Sequence, residues 1–160
     1  MQELIGEHDP AFRIQVSEHI IGHGPEFFQQ AEELELEGIV SKLADSRYRS
    51  GYSTSCLKTK AFTEDHFIIV GTEQGPGPTT ALCARETPHG LEYVGGAMLT
   101  LTATERDRFW AAAEKLERSS PPVKTEKRKA VRWLEPKLQA RVRHLRGEEK
   151  LRHATVMELL

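Results

Sequence analysis

The chain has 160 residues, of which 38% are hydrophobic and 29% charged, with a formal net charge of −2 at pH 7. This length suits one domain, or one domain with an appendage, and a core of modest size. No apolar run is long enough to span a bilayer, which excludes the membrane-spanning classes. The two cysteines stand without a Cys-x-x-Cys pair or a secretory signal pattern, which excludes a disulfide framework and a zinc knuckle. We therefore expect a cytoplasmic protein.

Charge is distributed unevenly along the chain. Residues 1–37 contain nine acids and one basic residue, Arg13, whereas residues 121–153 contain eleven basic residues and four acids. Such an excess indicates a region that faces a polyanion. A solvated charged face explains the same excess, and composition alone does not decide between the two. The candidate polyanion contacts are Lys127, Arg128, Lys129, Arg132, Arg141 and Arg143.

The first third of the chain contains short elements of both kinds. RIQVSEHI alternates in a way that predicts a strand. PEFFQQAEELE predicts a helix, because Pro25 suits the first turn and Phe27, Ala31 and Leu34 recur on one face. LEGIVSK and CLKTK predict two short strands, and the polar residues between them predict an irregular excursion.

After residue 60 the sequence becomes rich in strand-forming residues. HFIIVGT, TALCARET and LEYVGGAML predict three strands separated by turns that contain Gly or Pro, and the second and third fit a hairpin. Thr102 and Glu105 have the spacing of a capping box, which predicts a helix whose apolar stripe is Phe109, Ala113 and Leu116.

The C-terminal quarter begins with SSPPVKTEKRK, which reads as a linker too polar and Pro-rich for a core element. AVRWLEP, KLQARVRHLRG and LRHATVMEL then predict the last β segments, with a turn at residues 147–149. About five short strands with one helix after the third is the element order of an OB-fold, a small Greek-key barrel.

Three charged residues of the two short strands could carry chemistry. Alternation in CLKTK places Lys58 and Lys60 on one side of a strand, where two ammonium groups repel each other unless they face water or share an anion such as phosphate. Glu37 could hold a divalent metal, which prefers oxygen ligands. The alternative to a phosphate site is a structural role, in which lysines on an edge strand prevent its pairing with another chain.

The same residues carry a resemblance to a known family. LEGIVSK-x-ADS-x-YRSG followed by LKTK resembles the end of the adenylation domain of ATP-dependent DNA ligases, in particular the bacterial ligase D type used in end joining. The resemblance continues through HFIIVG, LEYVGGAML and VRWLEPKLQARV, and so extends over nearly the whole chain. It implies a mainly β protein: residues 1–62 would be a small α/β remnant of the adenylation (nucleotidyltransferase) domain, and residues 63–160 an OB-fold domain.

The resemblance also implies roles for individual residues. Glu37 would be the carboxylate of the nucleotide and metal site, Lys42 would contact the α-phosphate, and Lys58 and Lys60 would contact phosphates during adenylyl transfer. The implied cofactors are ATP and Mg²⁺, and the implied partner is nicked duplex DNA, which the barrel contacts through its backbone.

The chain departs from the family pattern at three places. It contains no Lys-x-Asp-Gly motif, whose lysine attacks the α-phosphate in such ligases. LRHATVMELL replaces LRHP-x-F and the basic element that follows it, and Cys56 stands where an aromatic residue usually precedes LKTK. We therefore expect a non-catalytic DNA-binding module. Two alternatives are a split ligase completed by a separate adenylation-domain polypeptide, and a structural protein that self-associates into a homo-oligomer.

Overall fold

The computed structural model describes residues 18–128, 130–147 and 149–160. Within these ranges the chain forms two helices and eight strands. In chain order they are α1 (Gly24–Glu33), β1 (Gly38–Lys42), β2 (Cys56–Lys60), β3 (Phe62–Glu73), β4 (Thr80–Thr87), β5 (Gly90–Leu99), α2 (Ala103–Lys115), β6 (Glu117–Arg118), β7 (Val131–Leu145) and β8 (Thr155–Leu159). Of the strand predicted over RIQVSEHI, residues 13–17 lie outside the described ranges and residues 18–20 form no strand.

The N-terminal elements form a small α/β unit in which β1 and β2 pair antiparallel. Gly38 lies opposite Lys60 with φ 142°, and a Cβ atom there would clash with Thr59 O. Only glycine allows this approach of the two strands. Of the predicted stripe on α1, only Ala31 is buried, while Leu34 is 71% exposed. A two-stranded sheet is too narrow to cover a whole helix face.

The remaining elements close into a barrel. The sheet order is β3-β4-β5-β8-β7-β6, and a second pairing of β3 with β7 closes it. Strands β5 and β8 run parallel, and the other neighbours run antiparallel. Helix α2 lies between the third and fourth barrel strands in chain order. The predicted fold class, a mainly β chain with an OB-type barrel after a small α/β unit, is confirmed.

One strand of the barrel differs from its prediction. AVRWLEP and KLQARVRHLRG were expected as two segments, but β7 runs unbroken through Pro136. The pairing with β3 jumps from Ile69–Leu138 to Gly71–Trp133, so Pro136 lies in a bulge. A proline at a bulge does not interrupt a strand, because no ladder hydrogen bond is required of it there.

The barrel interior holds the main core. Phe109 and Ala113 of α2 are fully buried among interior side chains of the strands, and the ring of Trp110 meets Phe109 edge-on at 5.0 Å between centroids. The predicted capping box at Thr102 and Glu105 is present. Helix α2 therefore begins where predicted and packs one face on the barrel core.

A second cluster covers the outer face of β3, β4 and β5. It contains Ile68, Val70, Leu82 and Ala84 and is closed by Val123, which is only 6% exposed. Val123 lies in the segment predicted to be too polar for a core element. That prediction was wrong at this position, because one apolar side chain in a polar segment is enough to cap an apolar sheet face.

Candidate functional site

The pairing of β1 with β2 brings three lysines to one side of the small sheet. Residues opposite each other in the register share a face, and Lys42 stands opposite Cys56 while Val40 stands opposite Lys58. Lys60 follows two residues later on the same face. We call Lys42, Lys58 and Lys60 the lysine face. Lys42 and Lys58 are exposed, and Lys60 is half-buried.

Glu37 lies beside this face and binds one of its lysines. Lys58 Nζ donates a hydrogen bond to Glu37 Oε1 at 2.8 Å, and both side chains are solvent-accessible. This hydrogen bond and the positive charge of Lys58 hold the pKa of Glu37 below its ordinary value, with smaller contributions from Arg152 and Lys60. Glu37 is therefore a carboxylate at neutral pH, with the ammonium of Lys58 beside it.

The other two lysines are placed differently. Lys60 Nζ lies 2.8 Å from His153 Nε2, a residue of the barrel that the sequence analysis did not single out. Within the described ranges, the ammonium of Lys42 makes no hydrogen bond or ion pair. The lysine face thus carries one ion-paired, one hydrogen-bonded and one unpaired ammonium.

The oxygen and nitrogen ligands near the lysine face limit how the predicted metal could bind. Among the described residues no group of three or more His, Cys, Asp or Glu side chains could hold a metal ion. Mg²⁺ is commonly held by one or two carboxylates together with phosphate oxygens and water. Glu37 could bind Mg²⁺ in this way as the single protein ligand. The phosphate oxygens of a bound nucleotide would supply the other ligands, together with water.

The small α/β unit docks on the barrel through the turn after β7. Arg146 Nη1 donates to Glu32 O at 2.6 Å, and Arg146 N donates to Ala61 O at 3.2 Å. Gly147 approaches so closely that a Cβ atom there would stand 2.8 Å from Glu35 O. The barrel therefore helps to fix the position of the lysine face.

A polar groove of about 710 Å³ opens at the same end of the barrel. His144 lines it, with Nε2 at 2.9 Å from Asp65 Oδ2 and Nδ1 at 3.0 Å from Leu145 O. The contact with Asp65 links β7 to β3 at the barrel end. The sequence offered no local signal for this pair, which lies 79 residues apart along the chain.

Half of the predicted polyanion contacts of the barrel are paired with acidic side chains. Arg128 Nη1 donates to Glu73 Oε2 at 2.8 Å and Nη2 donates to Tyr93 Oη at 2.9 Å, with the guanidinium over the Tyr93 ring. Arg132 Nε donates to Glu117 Oε2 at 2.7 Å.

Among the six candidate polyanion contacts, Arg141 binds two carboxylates. It donates to Glu64 Oε2 at 2.8 Å and to Glu158 Oε2 at 2.9 Å. Arg143 lies over the ring of Phe62 at 4.3 Å, and Lys127 is exposed. Lys129 lies outside the described residues. Three of the six candidates thus pair with carboxylates. The barrel surface therefore presents less uncompensated positive charge than the count of basic residues indicates.

No helix among the described residues has the length and apolar character needed to cross a membrane.

Comparison with known proteins gives concordant results. The family model for the ATP dependent DNA ligase C terminal region matches residues 75–159, more than half of the chain. A multifunctional non-homologous end joining protein LigD from Mycolicibacterium smegmatis is 29% identical over 100 residues, which cover 59% of this chain and 13% of that protein.

Two solved structures share the fold. The ligase domain of M. tuberculosis LigD superposes with a TM-score of 0.55 at 25% identity, over 88% of this chain and 49% of that one. A mycobacterial DNA ligase D complexed with ATP and MES gives a TM-score of 0.53 at 24% identity, over 88% of this chain and 48% of that one. This chain therefore spans about half the length of those ligase chains. The expected resemblance to ligase D is confirmed, and the chain belongs to the family of ATP-dependent DNA ligase C-terminal regions.

Proposed function

We propose that this chain is a DNA-binding module of a ligase of the ligase D type, which acts in DNA repair and end joining and holds DNA phosphates on its lysine face. One observation carries the proposal. The register of β1 and β2 gathers Lys42, Lys58 and Lys60 on one side of a sheet, and Lys42 has no ion-pair partner among the described residues. The relative from M. smegmatis is described as a non-homologous end joining protein, which supports the assignment to end joining.

Electrostatics favours the lysine face over the arginines of the barrel. Each lysine is a point charge with three donors, suited to phosphate oxygens that approach from varied directions. Arg128, Arg132 and Arg141 must each give up a carboxylate before they can bind phosphate. On the lysine face only Lys58 must do so. Lys127 and Arg143, which form no ion pair with a described residue, would add backbone contacts on the barrel.

Glu37 is the candidate ligand for Mg²⁺ when a nucleotide is bound. The ion would neutralise phosphate charge, and Glu37 would then exchange its contact with Lys58 for a contact with the metal. Lys58 would be released toward the phosphates by the same exchange. The binding of ATP and Mg²⁺ by this chain is part of the proposal.

We propose further that the chain alone forms no covalent adenylate. The sequence contains no Lys-x-Asp-Gly, and the lysine of that motif is the nucleophile in ligases of this kind. Incubation with α-³²P-labelled ATP and Mg²⁺ followed by denaturing electrophoresis tests this directly. We expect no labelled band, and a labelled band would contradict the non-catalytic assignment.

DNA binding itself is tested with a fluorescein-labelled nicked duplex. We expect a fluorescence-anisotropy titration to show affinity that falls as salt rises, because binding to phosphates releases counterions. No binding at low salt would overturn the proposal. We also expect the cytoplasmic location predicted from the sequence, which fractionation of the source cells would test.

A second candidate function rests on a different observation. Leu34, Leu36, Leu43 and Leu57 of the small α/β unit are each more than half exposed, and β1 and β2 pair only with each other among the described residues. Exposed apolar side chains beside open strand edges favour the addition of further strands. A separate adenylation-domain polypeptide would complete a split ligase at this edge, and a second copy of the chain would give a structural homo-oligomer.

Light scattering and co-expression distinguish these outcomes. A monomer at all concentrations argues against self-association. Co-purification with a polypeptide that carries Lys-x-Asp-Gly, together with adenylate formation by the pair alone, would establish the split ligase.

A further inference from the structure

The imidazole of His153 lies against the ammonium of Lys60 across the junction between the barrel and the lysine face. Lys60 Nζ and His153 Nε2 are 2.8 Å apart, although 93 residues separate the two along the chain. An ammonium group can only donate, so Nε2 accepts and the ring proton lies on Nδ1. Lys60 is the last residue of β2, and His153 lies between β7 and β8. The contact therefore links the barrel directly to a proposed phosphate ligand.

The backbone around His153 is fixed by its neighbours. Its φ is 50°, in the left-handed region that is unfavourable for a residue with a Cβ atom. Arg152 O accepts a hydrogen bond from Leu145 N at 3.1 Å, and Ala154 is buried. Such conformations persist where the surroundings determine them, and they cluster at functional sites.

The turn that precedes His153 is held from the other side as well. Arg146 Nη1 donates to the carbonyl of Glu32, and Gly147 packs against the carbonyl of Glu35. The barrel and the small α/β unit are thus held together independently of His153. The His153 side chain is free to act on Lys60 rather than to hold the two parts of the chain together.

We infer that His153 is a positioning residue for Lys60: its imidazole accepts one of the three ammonium hydrogens and leaves the other two for a phosphate on the lysine face. The inference rests on the phosphate-binding function proposed above. A lysine side chain has large rotamer freedom, which is lost on binding an anion. An acceptor that already orders the ammonium reduces that loss and so strengthens phosphate binding.

Anisotropy titrations of the nicked duplex with variants of the full chain test the inference. We expect His153→Ala to weaken binding about threefold, because Lys60 must then be ordered by the phosphate alone. His153→Gln, whose amide oxygen also accepts from the ammonium, should bind within about twofold of the unsubstituted chain. In a Lys60→Ala background, His153→Ala should have no further effect, because no ammonium remains to be positioned.

The losses of duplex affinity in these variants, compared with one another, test the positioning role of His153. An equal loss for His153→Ala and His153→Gln overturns the inference, as does a His153→Ala loss that persists in the Lys60→Ala background. If Lys60→Ala weakens binding but His153→Ala does not, the inference fails while the proposed function stands.

Urea unfolding of the same variants tests whether the Lys60–His153 contact exists in solution, independently of whether the lysine face binds phosphate. A coupling between Lys60 and His153 in the free energy of unfolding supports the contact in solution. If that coupling is present but Lys60→Ala binds the duplex as well as the unsubstituted chain, the phosphate-binding function is overturned. Zero coupling contradicts the contact itself, and with it the positioning role.

Discussion

The carboxylate of Glu37 accepts a hydrogen bond at 2.8 Å from Lys58, a residue that stands 21 positions later in the chain and on the neighbouring strand. The pair places a negative charge beside the lysine face, where it competes with a phosphate for Lys58. Its strength therefore determines how readily Lys58 becomes available to a phosphate.

Removal of the Glu37 charge should strengthen DNA binding. We expect Glu37→Gln to raise the affinity for the nicked duplex about threefold in Mg²⁺-free buffer, because Lys58 then contacts a phosphate without giving up its ion pair with Glu37. Anisotropy titration measures the change. Glu114→Gln, an exposed site on α2, alters the net charge equally and is the matched control. Equal gains for the two variants would show that only net charge matters.

The ion pair should also be visible in the titration of Glu37. Its pKa is lowered chiefly by the hydrogen bond and charge of Lys58, so the side-chain carboxyl ¹³C signal should show a midpoint below 4.5. Because the folded-state pKa is lowered, the stabilisation is present above the ordinary Glu range and is lost as pH falls through the lowered value. Lys58→Ala should return the midpoint toward 4.5. A midpoint that Lys58→Ala leaves unchanged would contradict the pairing.

Gly38 should be essential to the pairing of β1 with β2. We expect Gly38→Ala to destabilise this pairing by at least about 2 kcal/mol, since φ is positive there and the added Cβ atom meets Thr59 O. Hydrogen exchange should accelerate in peptides from β1 and β2 and remain unchanged in β4 and β5. Gly75→Ala, where a Cβ atom meets nothing within 4 Å, is the control. Unchanged exchange in β2 would show that the strands do not approach as described.

Arg128 should contribute to the stability of the barrel, in contrast to its neighbour in sequence. Arg128→Ala removes the contacts with Glu73 and Tyr93 and should lower the free energy of unfolding by about 1 kcal/mol, a value reduced by partial solvent exposure. Lys127→Ala should change it by less than about 0.5 kcal/mol. Urea unfolding measures both. Equal effects of the two substitutions would mean that the arginine contacts contribute nothing specific.

Local signals in the sequence predicted much of the fold. CLKTK forms β2 with the bounds expected. TALCARET forms β4, because it is a short run flanked by turn residues. The capping box at Thr102 was read correctly, since it depends only on residues three positions apart. AVRWLEP and KLQARVRHLRG form one strand and not two segments, because the bulge that accommodates Pro136 is defined by pairing with β3, which no local pattern reveals.

The candidate site was predictable only in part. Alternation in a strand is local, so the shared face of Lys58 and Lys60 followed from the sequence. The partners of the charged residues did not, because they come from distant elements. Glu64 lies 77 residues from Arg141, and His153 lies 93 residues from Lys60. A count of basic residues therefore overstated the charge that the barrel presents to a polyanion.

The salt dependence of duplex binding by a variant of the lysine face tests the central claim most directly. Lys58→Ala/Lys60→Ala should weaken binding of the nicked duplex and lower the slope of log K against log salt by about 2, one for each lost phosphate contact. Lys115→Ala/Lys124→Ala removes the same charge from exposed barrel sites and should change the slope far less. Equal affinities and slopes for the two double variants would contradict phosphate binding by the lysine face.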